Sequence, residues 1–175
     1  MHTGEPISIQ DNFLPKDVFN ALREEIYNRD LPWSYLPSVV YEDENPKTTP
    51  GLLLHSIYDA NGARSRLYDT VIRPLIRQLN AYIIYRIQIN LNLRLSNPYV
   101  SPWHTDTFGF DATQWSNSVF YLNTCNGYTE FEDGTKVESI ANRVVTVPLT
   151  LEHRGVTQTD EQTRYVINLN YLRGT

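Results

Sequence analysis

A histidine and an aspartate stand two positions apart in the triplet His104-Thr105-Asp106. On a β-strand, side chains two positions apart point to the same face, so the imidazole and the carboxylate could reach one metal ion. His153, far along the chain, could supply a second imidazole from another strand. Two imidazoles and one carboxylate on one side of a cation leave its other side open, which is the ligand set associated with non-haem Fe(II) oxygenases.

An arginine opens the last strand-like segment of the chain. Strand alternation places Arg164, Val166 and Asn168 on one face, which is the more polar one and should line a cavity. A guanidinium inside a cavity needs an anionic partner, because an unpaired buried charge is very costly. Its fork of donors suits a carboxylate, which indicates a carboxylate ligand. The alternative is a structural ion pair with Glu152 or Asp160.

The clearest predicted strand, which could position these groups, begins near Arg86. Apolar and polar residues alternate from there as far as Leu95. Its apolar face must pack on other elements. Its polar face could line the ligand cavity of a barrel, or it could be the solvent face of an open sheet. The polar face consists of Arg86, Gln88, Asn90, Asn92 and Arg94.

Several short strands follow, separated by turn-forming pairs such as Asn126-Gly127 and Asp133-Gly134. Together they predict about eight strands from Arg86 onward, at the spacing of a sandwich or a barrel. Those with the clearest bounds are Ser118–Leu122, Tyr128–Glu132, Lys136–Ile140, Val144–Val147, Glu152–Val156 and Thr163–Leu172.

The first half of the sequence predicts helices and short strands that pack on this core. Apolar residues at helical spacing predict one helix over 17–28 and another over 65–80, with a kink or a break at Pro74. Short strands are predicted within 5–14 and 52–58, and a third at 38–41. His55 is predicted to be a satisfied core residue. The proline-rich segment 30–51 is either a lid or irregular decoration.

Composition narrows the class of protein. The chain has 175 residues and a net charge of −5, and it has no run of lysines and arginines, which makes nucleic acid an improbable partner. No apolar run is long enough to span a membrane, and the first residues lack the pattern of a signal peptide. The single cysteine, Cys125, allows no intrachain disulfide and fits a reducing compartment. We therefore expect a cytoplasmic protein.

Four motifs between Arg86 and Leu172 resemble those of the Fe(II)- and 2-oxoglutarate-dependent dioxygenases, especially the prolyl-4-hydroxylase-like branch. A fifth feature, the opening Asp11-Asn12-Phe13-Leu14-Pro15 before a helix, is also typical of that family. Taken whole, the chain looks closest to small enzymes of this kind from phages and marine microbes. The four motifs are His104-Thr105-Asp106, Phe120-Tyr121-Leu122-Asn123, Asn126-Gly127-Tyr128-Thr129-Glu130-Phe131, and His153-Arg154-Gly155-Val156 followed by Arg164-Tyr165.

The resemblance implies a mainly β fold with flanking helices. Its core would be a double-stranded β-helix, the cupin-like jelly roll, formed by residues 86–172 and packed against residues 1–85. No linker separates a second unit, so we expect residues 1–175 to form one domain.

The resemblance also implies roles for individual residues. His104, Asp106 and His153 would bind Fe(II), and they would form the catalytic centre together with O2 and the co-substrate 2-oxoglutarate. Arg164 would pair with the far carboxylate of 2-oxoglutarate, and Tyr121 would donate a hydrogen bond to the same carboxylate. The expected reaction is hydroxylation of a peptidyl residue or a small metabolite, with release of succinate and CO2.

Two departures from the family pattern affect the oxoacid pocket. Many prolyl hydroxylases of this branch have lysine where Arg164 stands, and the tyrosine often found on the first core strand has no clear match. Arg94 or Asn92 falls near that position, and Asn92 is the candidate contact to the oxoacid. Two alternatives stay open: a cupin-like metalloprotein that uses Zn or Mn for non-oxidative chemistry, and a non-catalytic β-sandwich binding module.

Overall fold

Antiparallel β-sheet dominates the computed structural model, which describes residues 7–27, 30–38, 49–106 and 111–174. None of the described helices is long and apolar enough to cross a membrane. The helices are α1 (Lys16–Ile26) and α2 (Arg73–Gln78), the second preceded by a π-helical turn at Tyr68–Ile72. The strands are β1 (Ser8–Gln10), β2 (Ser34–Leu36), β3 (Leu52–Asp59), β4 (Gly62–Ala63), β5 (Ala81–Leu93), β6 (Trp115–Tyr121), β7 (Tyr128–Phe131), β8 (Lys136–Glu138), β9 (Val144–Pro148), β10 (His153–Val156) and β11 (Thr163–Arg173).

The strands form two sheets that pack face to face. The larger sheet has the order β1-β9-β6-β11-β5-β3-β2, with β4 paired to β3, and the smaller has the order β10-β7-β8. Between them, Tyr121 and Val166 of the larger sheet pack with Phe131 and Val137 of the smaller one. The long strand β11 lies between β5 and β6 and pairs with both, so the polar residues of three adjacent strands share the inner face.

The outer face of the larger sheet is covered by the helices. In α1, Phe19, Leu22 and Ile26 recur at the spacing of one helical face, and all three are buried. Phe19 meets Phe120 of β6 edge to face, with ring centroids 6.0 Å apart, and Leu75 of α2 belongs to the same apolar cluster. Ile87 and Ile89 of β5 belong to this cluster too, which confirms the predicted packing on helices for that part of the 86–95 strand, whereas Leu93 is 57% exposed.

The second predicted helix is interrupted where its proline falls. Residues 65–80 do not form one continuous helix, because a π-helical turn precedes α2 and Pro74 lies in the first turn of α2. Proline has no N–H to donate, and the first turn of a helix is where that N–H would lack an acceptor anyway. The predicted break at Pro74 thus becomes a helix start.

Three strand predictions differ from the structure in detail. The strand expected at 38–41 is not found at residue 38, and the rest of it lies outside the described residues; β2 forms at Ser34–Leu36 instead. Strand β5 begins at Ala81, because its first residues also pair with β11, across a register shift. From β5 onward the described residues form seven strands where about eight were expected.

An asparagine in the turn between β8 and β9 holds the segment before α1 against the core through hydrogen bonds. Asn142 accepts a hydrogen bond from the Leu14 N–H through Oδ1 at 2.9 Å, and its Nδ2 donates to the Leu14 carbonyl at 2.8 Å. The backbone of Asn142 has φ of +64°, a conformation that asparagine adopts more readily than most residues. Leu14 is buried, so its peptide groups have no water to replace these bonds.

We predict that Asn142→Ala lowers the free energy of unfolding by about 2–4 kcal/mol, because it leaves two buried peptide groups unpaired and strains the backbone. Urea denaturation followed by circular dichroism measures the change. Asn12→Ala is the matched control, since Asn12 also has positive φ but is exposed. Equal losses in the two variants would show that backbone strain, and not the bonds to Leu14, accounts for the effect.

Candidate active site

The two predicted histidines lie side by side on neighbouring chain segments. The N–H of each donates to the carbonyl of the other, at 3.0 Å from His104 and 2.9 Å from His153, and the ring centroids are 4.6 Å apart. His153 begins β10, whereas the segment 102–106 is not a strand, which corrects the prediction for it. The single bridge between His104 and His153 is enough to bring both imidazoles to the inner side of the smaller sheet.

Asp106 completes the trio. One nitrogen or oxygen atom from each of His104, Asp106 and His153 lies within 4.8 Å of the other two, close enough for the three to hold one metal ion. Burial would raise the pKa of the Asp106 carboxyl, but the neighbouring Arg86 guanidinium and the two imidazoles bring that pKa below its ordinary value. The carboxylate is therefore ionised, which metal binding requires.

Backbone carbonyls fix which imidazole nitrogen is available. Nδ1 of His104 lies 3.0 Å from the Pro102 carbonyl, and Nδ1 of His153 lies 3.3 Å from the Leu151 carbonyl. A carbonyl oxygen can only accept, so Nδ1 carries the proton and Nε2 keeps its lone pair. Burial lowers the pKa of His153, which favours the same neutral form. Both rings are thereby prepared to bind a cation through Nε2.

Arg164 is buried in the wall of the cavity and is 4% exposed. Its Nη2 donates to the Thr129 hydroxyl oxygen at 3.3 Å, its guanidinium lies 5.6 Å from the Tyr121 ring centroid, and its Nε has no hydrogen-bond partner. Burial lowers the pKa of Arg164. No carboxylate among the described residues pairs with it; Asp160, one of the predicted alternatives, accepts hydrogen bonds from backbone N–H groups.

One cavity is lined both by the two histidines of the trio, His104 and His153, and by Arg164. Asn90 and Asn92 of β5 and Asn168 of β11 form one wall, so of the two alternatives for the polar side of β5, the structure supports cavity lining at Asn90 and Asn92. Asn90 stands out in this wall, because its Oδ1 is buried without a hydrogen-bond partner. Polar lining residues are His104, His153, Arg164, Thr129, Asn90, Asn92, Asn168, Tyr99, Ser101 and Thr157.

Tyr121 does not reach this cavity directly. Its ring is fully buried between the sheets, and its hydroxyl donates to Thr129 Oγ1 at 2.9 Å. Thr129 lines the cavity and stands between Tyr121 and any ligand there. The direct hydrogen bond expected from Tyr121 would require its hydroxyl to leave Thr129.

Sequence reasoning missed three residues of the site. Thr129 was noted only as part of a motif, although its place two residues before Phe131 sets its side chain on the inner face. Arg86 and Asn170, which both contact Asp106, were not assigned any role there. The pairing of Arg86 with Asn170 across β5 and β11 would have indicated their common role, but it can be recognised only when the register of the two strands is known.

His55 is confirmed as a satisfied core residue. Its Nδ1 lies 2.7 Å from the Pro32 carbonyl oxygen, and its Nε2 lies 2.8 Å from the Ser65 hydroxyl oxygen. Both ring nitrogens are therefore occupied, and neither is free for a metal.

Comparison with solved structures identifies the fold. A prolyl-4-hydroxylase from Pseudomonas putida is 20% identical, with a TM-score of 0.64 over 96% of this chain and 92% of that chain. A 2OG-Fe(II) oxygenase family oxidoreductase from Burkholderia pseudomallei is 14% identical, with a TM-score of 0.62 over 97% of this chain and 86% of that chain. A Trichoplax adhaerens prolyl hydroxylase, in complex with a hypoxia inducible factor oxygen degradation domain peptide fragment, is 16% identical, with a TM-score of 0.63 over 95% and 83%.

These likenesses show that the chain has the jelly-roll fold of the 2OG-Fe(II) oxygenases, which confirms the predicted fold class. No family model matches the chain, and no curated protein matches it. At such low identity the shared fold is what the comparison establishes, so the activity has to be argued from the site itself.

We predict that Arg164→Met stabilises the protein in the absence of ligands, by at least about 1 kcal/mol, because it removes a buried charge that pairs with no carboxylate among residues 7–27, 30–38, 49–106 and 111–174. Thermal unfolding of the ligand-free protein measures this. Arg143→Met is the control: Arg143 pairs with Asp11 at 2.6 Å, so its loss should be neutral or destabilising. A loss of stability in Arg164→Met would contradict the prediction and would give Arg164 a structural role.

Proposed function

We propose that this protein is an Fe(II)- and 2-oxoglutarate-dependent oxygenase that hydroxylates a peptidyl residue or a small molecule, with release of succinate and CO2. One observation carries the proposal: two histidines of a histidine–aspartate–histidine trio line the same cavity as a buried arginine that pairs with no carboxylate of the described residues. The trio offers a metal three ligands and leaves its other coordination positions free. Arg164, apart from the trio, offers a charged group that can bind an anion.

The three ligands fit Fe(II). Two imidazole Nε2 atoms and one ionised carboxylate are the donor set that suits this ion when several coordination positions must stay open. The carbonyls of Pro102 and Leu151 hold the rings of His104 and His153, so the donors are oriented before a metal arrives. When bound, iron and the oxoacid would supply oxidative decarboxylation and oxygen transfer, while the protein orients and shields them.

Arg164 and Thr129 fit the far carboxylate of 2-oxoglutarate. The hydroxyl oxygen of Thr129 already accepts from Tyr121 and from Arg164, so both of its lone pairs are used. Its own proton is therefore available to donate to a ligand in the cavity. Tyr121 would act on the oxoacid by orienting Thr129. Asn92, which pairs with Arg164 across β5 and β11, would add a carboxamide contact.

The prime substrate is proposed only by class. The Trichoplax neighbour was solved with a peptide fragment, which supports a peptidyl substrate or a molecule of similar size for this chain. The net charge of −5 and the absence of a basic run argue against nucleic acid. A cytoplasmic location, kinship with small phage and marine-microbe enzymes, and a single domain over residues 1–175 stay predictions from the sequence.

Two other functions are less well supported by the site. A cupin-like protein that uses Zn or Mn for non-oxidative chemistry could employ the same three ligands, but it would have no need for the anion site at Arg164. A non-catalytic β-sandwich module would gain nothing from a buried arginine that none of the described carboxylates neutralises, since such a charge lowers stability.

We predict that the protein, given Fe(II) and then 2-oxoglutarate without oxygen, develops the weak visible absorption of an oxoacid–iron chelate. Asp106→Ala should abolish the band, because a metal ligand is lost. Arg164→Ala should retain Fe(II) but require at least about tenfold more 2-oxoglutarate, because charged hydrogen bonds are lost. Arg143→Ala, which removes an arginine bound to Asp11, is the control and should titrate like the wild type. An equal band in Asp106→Ala, or loss of iron alone in Arg164→Ala, would refute the assignment.

We also predict that Gly127→Ala weakens oxoacid binding. A Cβ at this position would lie 2.8 Å from Cδ of Arg164 and 2.9 Å from the Val156 carbonyl oxygen, so the stem of Arg164 would have to move. The titration used for Arg164→Ala should show a higher dissociation constant for 2-oxoglutarate. Fe(II) affinity, measured in the same samples, should be unchanged, because Gly127 does not contact the metal trio. A parallel loss of iron would mean that the substitution disturbs the whole cavity.

A further inference from the structure

The carboxylate of Asp106 already has a cation beside it. Nη2 of Arg86 lies 3.0 Å from Asp106 Oδ1, and Nδ2 of Asn170 donates to Asp106 Oδ2 at 3.2 Å. Arg86 Nε in turn donates to Asn170 Oδ1 at 2.9 Å. Arg86, Asp106 and Asn170 thus form a closed ring of hydrogen bonds, in which both oxygens of the carboxylate are engaged.

The strand register builds this ring. Arg86 of β5 stands opposite Asn170 of β11, and Asn170 stands opposite Asn117 of β6, to which it also donates a hydrogen bond. Immediately beyond this row the pairing of β5 with β11 skips Tyr85, a bulge that re-aims side chains. The side chains of Arg86 and Asp106 are only 21% and 12% exposed, so solvent screens their charges weakly.

We propose that Arg86 is a built-in counter-cation for the metal centre: it neutralises Asp106 in the metal-free protein and keeps one carboxylate oxygen after a metal binds. The inference rests on the proposed function, since it takes the trio to be a metal site. Arg86 acts through Asp106 and is a positioning residue. By retaining Oδ1 of Asp106, Arg86 would leave only Oδ2 of this carboxylate for a bound metal.

The sign of the effect on metal affinity separates this role from a merely structural one. In the metal-free protein, loss of the guanidinium leaves a buried carboxylate unpaired, which raises the free energy of that state. In the metal-bound protein, the same loss removes repulsion between two neighbouring cations. Both changes tighten metal binding. An arginine that only orients Asp106 would have the opposite effect, because its loss would leave the ligand disordered.

Binding of Mn(II) alone to the full chain tests the proposal, with free Mn(II) counted by its electron paramagnetic resonance signal. Arg86→Gln removes the charge and keeps a hydrogen-bonding group, and it should bind Mn(II) at least about tenfold more tightly than the wild type. Arg86→Lys keeps the charge and should stay within about threefold of the wild type.

Arg154→Gln is the matched control. Arg154 pairs with Glu130 at 2.7 Å, has a side chain 29% exposed, and lies over the Trp103 ring at 4.2 Å. It follows His153 in the chain, yet its charge is neutralised by a carboxylate outside the trio. Its replacement should leave Mn(II) affinity unchanged. A gain equal to that of Arg86→Gln would overturn the proposal, because loss of any nearby positive charge would then be enough to tighten Mn(II) binding.

Thermal unfolding of the metal-free protein gives a second measurement. Arg86→Gln should unfold at a lower temperature than the wild type, and the double variant Arg86→Gln with Asp106→Asn should recover, because it carries neither charge. This comparison stands even if Arg86→Gln alone is too unstable to titrate. A double variant no more stable than Arg86→Gln would assign Arg86 a structural role and overturn the proposal.

The outcomes also separate this proposal from the proposed function. Equal or weaker Mn(II) binding by Arg86→Gln, with normal binding by the wild type, overturns the role of Arg86 and leaves the oxygenase proposal standing. A wild type that binds no Mn(II), or binds it as well after Asp106→Ala, overturns the metal site itself and both proposals with it.

Discussion

The buried guanidinium of Arg164 is the constraint on which the site depends. Folding removes it from water, no carboxylate in the described part of the chain pairs with it, and its neighbours Thr129 and the Tyr121 ring compensate that loss only in part. Gly127 leaves just enough room for its side chain. An anion bound in the cavity, as proposed, would supply the missing partner and offset this cost.

The charges around the trio favour binding of metal and anion together. A divalent metal would enter a place where Arg86 already neutralises Asp106, with Arg164 further along the same cavity. The metal alone would therefore add positive charge to a positive region, whereas a dicarboxylate would offset it. Each ligand would raise the affinity for the other, which is a reciprocal coupling between two parts of one cavity.

Much of this arrangement follows from local patterns in the sequence. Alternation along β5 and β11 predicts the polar lining, and helical spacing predicts the covering face of α1. The contacts of Asp106 with Arg86 and Asn170 could not be predicted, because they depend on which residues of two distant strands stand opposite each other and on a bulge at Tyr85. The placement of Thr129 in front of Tyr121 likewise arises from packing between the two sheets, which no local pattern encodes.

The uncharged wall of the cavity increases the selectivity that the charged groups give for a ligand. Asn90, Asn92 and Asn168 offer hydrogen bonds without net charge, so they add little long-range attraction for ions. The charged groups of a ligand would therefore be recognised at two places. One is the metal trio with Arg86, and the other is Arg164. A ligand with one anionic group satisfies only one of them and leaves the other desolvated and unpaired, which is a strong basis for discrimination. A dicarboxylate whose second group also chelated a metal would satisfy both, and this double requirement is the link between the cavity and the proposed oxoacid chemistry.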